Sequence, residues 1–278
     1  MRDVDVLAGL EALKIMDRDA SGWVESVSRK AIYLRTVSDD ILILSAEPLT
    51  PYTLVVGKEW PKVQEVAEKG MEVWRDGGAI ILGGRTALRI RGCTDDSPIP
   101  TGCLPEKENL LIARKVVQVL ASISHDEVIP EGVKILRERG PDMEMLKTLI
   151  GRGIGATPSG DDFIAGTLLG LHIIGGREST EPLKRGLQTG TGWLSRCIVE
   201  HSSHGCTYTP LARLCRTMAS DGDVVEWVSR TVRIGSTTGL STMVGLLETF
   251  GYYYKSLSRT SSRSFSSSGG GLQLTSTT

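Results

Sequence analysis

Gly151-Arg-Gly-Ile-Gly-Ala-Thr-Pro-Ser-Gly-Asp-Asp-Phe163 places spaced glycines, two hydroxyls, a proline and two adjacent carboxylates before an apolar run that reaches residue 174. The pattern reads as a loop opening onto the N-terminus of a helix that is apolar nearly all round, and therefore buried. Such a helix start leaves backbone N–H groups without intrahelical partners and carries the positive end of the helix dipole, so it suits an anion. Gly166 and Gly170 lie four residues apart and allow close contact with a neighbour, and Gly175-Gly176 should end the helix.

Working outward, the chain downstream of residue 106 keeps a helical period. Leu110, Leu111, Ala113, Val116, Val117 and Leu120 form one stripe over residues 107–122. Further helices are expected at 132–139, 142–150, 191–204, 209–219, 223–233 and 239–255. Upstream the pattern differs. Residues 31–35, 41–45, 53–56, 79–82 and 87–90 are short β-branched or Leu-rich runs separated by turn signals, which suits a small barrel or sandwich. Gly83-Gly84-Arg85 reads as the turn of a hairpin. Residues 3–16 look like a short helix, and 61–74 carry helical or mixed periodicity. The fold class is therefore α+β: a β-rich domain over 1–106, closed by the Pro-containing stretch 92–106, then a helical domain over 107–255. Residues 256–278, rich in Ser, Thr and Gly, are expected to be disordered.

Composition bounds the function. In 278 residues, 32 basic and 33 acidic side chains nearly balance, which argues against a dedicated nucleic-acid binder. Five irregularly spaced cysteines without a CxxC pair fit a reduced chain. The acidic, amphipathic start is unlike a signal peptide, and the apolar run 163–174 is shorter than the roughly 20 residues of a membrane span. A cytoplasmic protein with no nucleic-acid or membrane partner is the expectation.

A second segment, Ile234-Gly-Ser-Thr-Thr-Gly-Leu-Ser-Thr-Met-Val-Gly-Leu-Leu247, echoes the first. With Ser159-Gly160 set over Thr238-Gly239, Gly166 falls on Gly245. Two helix N-termini converging on one site would face a single anion. Gly153, Gly155, Gly160 and Gly239 would then let backbone approach it, and Thr157, Ser159, Ser236, Thr237 and Thr238 would donate hydroxyls. Capping alone would also place Ser, Thr and Asp at these positions. Asp161 and Asp162 are the candidate catalytic carboxylates. Neighbours on a helix point about 100° apart, so one is expected to serve structure and the other, Asp162, chemistry. One carboxylate with substrate oxygens would suit Mg²⁺.

The pattern Gly-x-Gly-x-Thr-Pro-Ser-Gly-Asp-Asp-Phe-x-x-Gly resembles the signature of the AllH family, associated with oxamate carbamoyltransferase in anaerobic allantoin breakdown. The segment from Ile234 is similar to the family's second motif, with Ser236 where His is common and Ser241 where Asp is common. Ser26-Val-Ser-Arg29-Lys-Ala31 is similar to an early family stretch. The resemblance implies a carbamoyltransferase, or a subunit of one needing partner subunits, that handles carbamoyl phosphate and oxamate or oxalurate. It makes Arg29 the candidate partner of a substrate carboxylate. A non-catalytic assembly subunit is the alternative reading. A kinase using Mg-nucleotide is a third, with no nucleotide motif to support it.

Other polar residues have plainer readings. Cys197, His201 and His204 share a helix face but match no standard zinc pattern. His172 reads as a hydrogen-bonded core histidine and His125 as a loop residue. Arg152 and Arg177 flank the first loop and its helix, where Arg152 could contact an anion.

Overall fold

The computed structural model describes residues 1–124, 126–184 and 190–266. Its first part runs β1 (Arg2–Ala8), α1 (Leu10–Arg18), β2 (Ser21–Val27), β3 (Ala31–Thr36), β4 (Ile41–Ser45), β5 (Thr53–Val55), α2 (Trp60–Val66), β6 (Glu72–Asp76), β7 (Ala79–Leu82) and β8 (Thr86–Cys93). The strands close a barrel in the order β1-β5-β4-β3-β2-β6-β7-β8. The choice between barrel and sandwich is thereby settled for the barrel. Closure leaves no unpaired strand edge.

Residues 3–16, expected as one helix, are a strand followed by a helix. Val4, Val6 and Ala8 face inward while Asp3 and Asp5 face outward, a period of two rather than 3.6. Asp3 and Asp5 pair with Arg89 and Arg91 on β8, to which β1 runs parallel. β2 and β6 give weak sequence signals because each buries a single side chain fully, Val24 and Val73. The hairpin at Gly83-Gly84 is present, both glycines having positive φ.

The second part contains α3 (Lys107–Ser122), α4 (Val128–Arg139), α5 (Met143–Leu149), α6 (Ser159–Lys184), α7 (Trp193–Ser202), α8 (Thr209–Met218), α9 (Val224–Val232) and α10 (Thr238–Ser266). The helical core gathers around α6 and α10, with Phe163, Leu168, Leu169, Met243, Leu246 and Phe250 fully enclosed. Gly176, with φ 68°, breaks α6 where the sequence placed its end, but a second helical stretch follows to Lys184. Residues 256–266, expected to be disordered, continue α10. Extending an existing helix is far less costly than nucleating one. Residues 267–278 lie outside the described residues. Among the described residues, no helix is long and apolar enough to cross a membrane.

The two parts meet at the turn between β3 and β4. Asp39 there has φ 68°, a left-handed conformation that aspartate tolerates in turns. Its carbonyl accepts from Trp193 Nε1 at 3.0 Å and from Cys197 Sγ at 3.4 Å. Beside it, Asp40 Oδ1 lies 2.8 Å from His201 Nε2, and the His201 ring stacks on Tyr52 of the barrel.

α6 and α10 cross backbone to backbone. A Cβ at Gly166 would overlap the Thr242 carbonyl, and one at Gly245 would overlap the Phe163 carbonyl. Either site converted to alanine should lose roughly 1–3 kcal/mol or more, because packed backbone cannot yield as a side chain does. Urea unfolding checks this. Gly192→Ala, where the added Cβ meets nothing within 4 Å among the described residues, should stay within about 0.5 kcal/mol of the parent.

Candidate functional site

The two glycine loops are built alike. α5 opens on Asp142, whose side chain accepts from Met145 N–H, and α9 opens on Asp223, which accepts from Glu226 N–H. Each helix leads through its loop into α6 or α10. A Cβ at Gly160 would overlap the Leu149 carbonyl, and one at Gly239 the Thr231 carbonyl. The internal echo in the sequence is thus a repeated helix–loop–helix unit. The loops meet: Thr157 Oγ1 lies 3.2 Å from Thr238 Oγ1.

Two of the glycines expected to admit an anion have their own amides engaged. The N–H groups of Gly160 and Gly239 donate to the Arg152 and Ile234 carbonyls, at 2.9 and 3.0 Å. They are used within their own loops and are not free amides for an anion. The polar groups at the junction are the two threonine hydroxyls and a carboxyl.

Asp161 and Asp162 take different surroundings. Asp161 Oδ1 accepts from Gly151 N–H at 2.7 Å, and its Oδ2 accepts from the Thr191 hydroxyl. It ties the glycine loop to the segment before α7. Asp162 is 1% exposed and lies beside both threonines, with Thr157 Oγ1 donating to Oδ2 at 3.4 Å. Burial pushes its carboxyl up to about 8, against the hydrogen bonds from Thr238 and Thr157, and the charges of Asp161 and Asp126 push the same way as burial. At neutral pH this is an uncharged acid that can donate a hydrogen bond. The Mg²⁺ suggested by the sequence would have these two carboxylates and substrate oxygens to bind. Among the described residues, no group of three or more His, Cys, Asp or Glu could hold a metal ion.

The remaining candidates spread out. Gly153 and Gly155 have φ 111° and 113° in an exposed loop, which requires glycine. Ser159 Oγ is buried without a hydrogen-bond partner among the described residues, and a Cβ on Gly153 would strike it. Ser236 is exposed and Thr237 half-buried, Thr237 accepting from Ser241 Oγ through its carbonyl. Arg29 is exposed in the turn joining β2 to β3, whereas the hydrogen bonds to α7 come from the turn at the other end of β3. Arg152 pairs with Glu131 at 2.5 Å. His172 Nε2 bonds the Ile99 carbonyl at 3.2 Å, as a core histidine would. His125 lies outside the described residues. Sequence reasoning missed Asp40 and Tyr52, the partners of His201. Adjacent Asp39-Asp40 after a strand was the one available signal, and it also fits an ordinary turn.

With this geometry in view, the comparison with known families is specific. Residues 149–250 match the family model of oxamate carbamoyltransferase subunit AllH. The AllH match begins at the end of α5 and takes in both glycine loops, Asp161, Asp162 and the glycine crossing of α6 with α10. The barrel lies outside it. The chain has no match among curated proteins or solved structures.

The raised Asp162 carboxyl has a measurable consequence. Between the ordinary aspartate value of 3.8 and about 8, the folded protein holds a proton that the unfolded chain has released. The Asp162 contribution therefore makes stability fall as pH rises through that window and level off above it. Asp162→Asn should flatten the profile by one proton, read from urea midpoints across the same window. An unchanged slope would place the proton elsewhere.

Proposed function

We propose that this chain is a carbamoyltransferase of AllH type, or a subunit of one, that binds a small phosphate- or carboxylate-bearing substrate where the two glycine loops meet. Carbamoyl phosphate and oxamate or oxalurate are the substrates this reading names. The observation that carries it is the contact of Thr157 with Thr238 beside the buried Asp162 carboxyl, at the N-terminal ends of two helices within the matched segment. In carbamoyl transfer the nucleophilic nitrogen attacks the carbamoyl carbon and gives up a proton, the bond to the phosphate oxygen breaks, and phosphate leaves with the electron pair and takes up a proton. Charge that develops on oxygen is stabilised by fixed donors and dipoles in a site that excludes water. Thr157 and Thr238 supply hydroxyls, the helix ends supply positive potential, and neutral Asp162 supplies a proton or a hydrogen bond.

A second reading, an assembly subunit, draws support from α3. Leu111 and Val119 on that helix are 54% and 63% exposed, and Ile123 just past its end is 69% exposed; a partner subunit would cover them.

Thermal melting of the full chain with carbamoyl phosphate, phosphate, oxamate or Mg-ATP separates the two. A ligand at 100 times its Kd should add about 2.7 kcal/mol of stability. Thr238→Val should abolish the shift, and Asp162→Asn should slow carbamoyl transfer roughly tenfold or more with the fold intact. No shift with any ligand, together with a stable complex from the native host, selects the assembly subunit.

A further inference from the structure

A cleft of about 1070 Å³ opens beside Asp161, between α1 and the β3–β4 turn of the barrel on one wall and α6 and α7 on the other. Three of the chain's four histidines line it, His172, His201 and His204. So do five cations. Lys14, Arg18, Lys184 and Arg196 each hold a carboxylate within 3.3 Å. Arg177 is different. Among the described residues its guanidinium has no carboxylate, and its Nη2 lies 3.0 Å from His204 Nε2.

Two elements fix this arrangement. The φ of 68° at Gly176 breaks α6 and redirects the chain, so that Arg177 lines the cleft. His204 follows the end of α7, with its Nδ1 3.8 Å from Glu200. Arginine only donates, so His204 Nε2 must be the accepting nitrogen and Nδ1 carries the ring proton toward Glu200. Burial, then the nearby Lys184 charge, holds the His204 ring below the usual histidine value, in keeping with a neutral acceptor. One N–H of the guanidinium is thus occupied by a weak partner, and the others remain for an oxyanion, which a guanidinium binds more strongly than it binds an imidazole.

We infer that this cleft is a second binding site, separate from the glycine-loop junction, for a small metabolite bearing a phosphate or carboxylate group, with Arg177 as its anion anchor and His204 as the group that the anion displaces. The Arg196–Asp39 pair is exposed on both sides and is easily opened, so this part of the cleft can adapt to the rest of the ligand. Asp161 lines the same cleft and holds Gly151, which joins this site physically to the first glycine loop.

The test follows the histidine ring signals of the full chain by NMR, His204 being assigned by His204→Gln. Inorganic phosphate and oxalate are titrated separately, as probes of the two possible anionic groups. A saturable shift of His204 with either probe is expected, and the responding probe names the group. Arg177→Gln should weaken it roughly tenfold or more, the loss expected for a charge-assisted bidentate contact, with an unchanged unfolding midpoint. Thr238→Val should leave it intact. The inference fails if His204 responds to neither probe or responds equally in Arg177→Gln. It also fails if Thr238→Val removes the response, which would assign the anion to the glycine loops instead.

Discussion

The helical half of this protein depends on two missing side chains. At Gly166 and Gly245 the α6 and α10 backbones come so close that a carbonyl of each helix occupies the place of the other's Cβ. Two helices carrying larger residues there would stand further apart. Their N-terminal ends would separate with them. The crossing is thus what brings Thr157 within 3.2 Å of Thr238 and what encloses Asp162.

Enclosure then sets the chemistry. A carboxylate in the first turn of a helix ordinarily gains from the dipole and stays ionised. At Asp162 the loss of water outweighs two hydroxyl donors, and the proton remains. One residue earlier, Asp161 receives a backbone N–H and a hydroxyl and works as a tether. Adjacent carboxylates in one motif therefore differ because the helix turns them toward different neighbours.

The barrel contributes a wall. Its β3–β4 turn reaches α7 through the Asp39 carbonyl and the Asp40 carboxylate, and Arg18 bridges back to Asp40 from α1. The His201 contact holds Asp40 well below the usual carboxylate range, although burial acts against it as the largest single influence. The cleft that contains Arg177 and His204 lies beside these contacts, between barrel and helices.

Much of this was legible in the chain itself. The glycine loops, the apolar runs after them and the turn signals upstream gave the order of β-rich and helical parts, because hydrophobic period and turn chemistry are local properties. They also gave the internal echo, and the expectation that Asp161 and Asp162 diverge. Local pattern failed where local preference was weak: at β1, whose alternation runs on into α1, and at β2 and β6, which each bury one side chain fully. Only the tertiary structure decided that the amides of Gly160 and Gly239 are already used and that Arg29 lies at the far end of β3 from the α7 contacts. It alone decided that Asp162 is buried deeply enough to raise its carboxyl and that Asp40 meets His201 across 161 positions of sequence. Burial and long-range contact belong to the packed chain, and no window of sequence contains them.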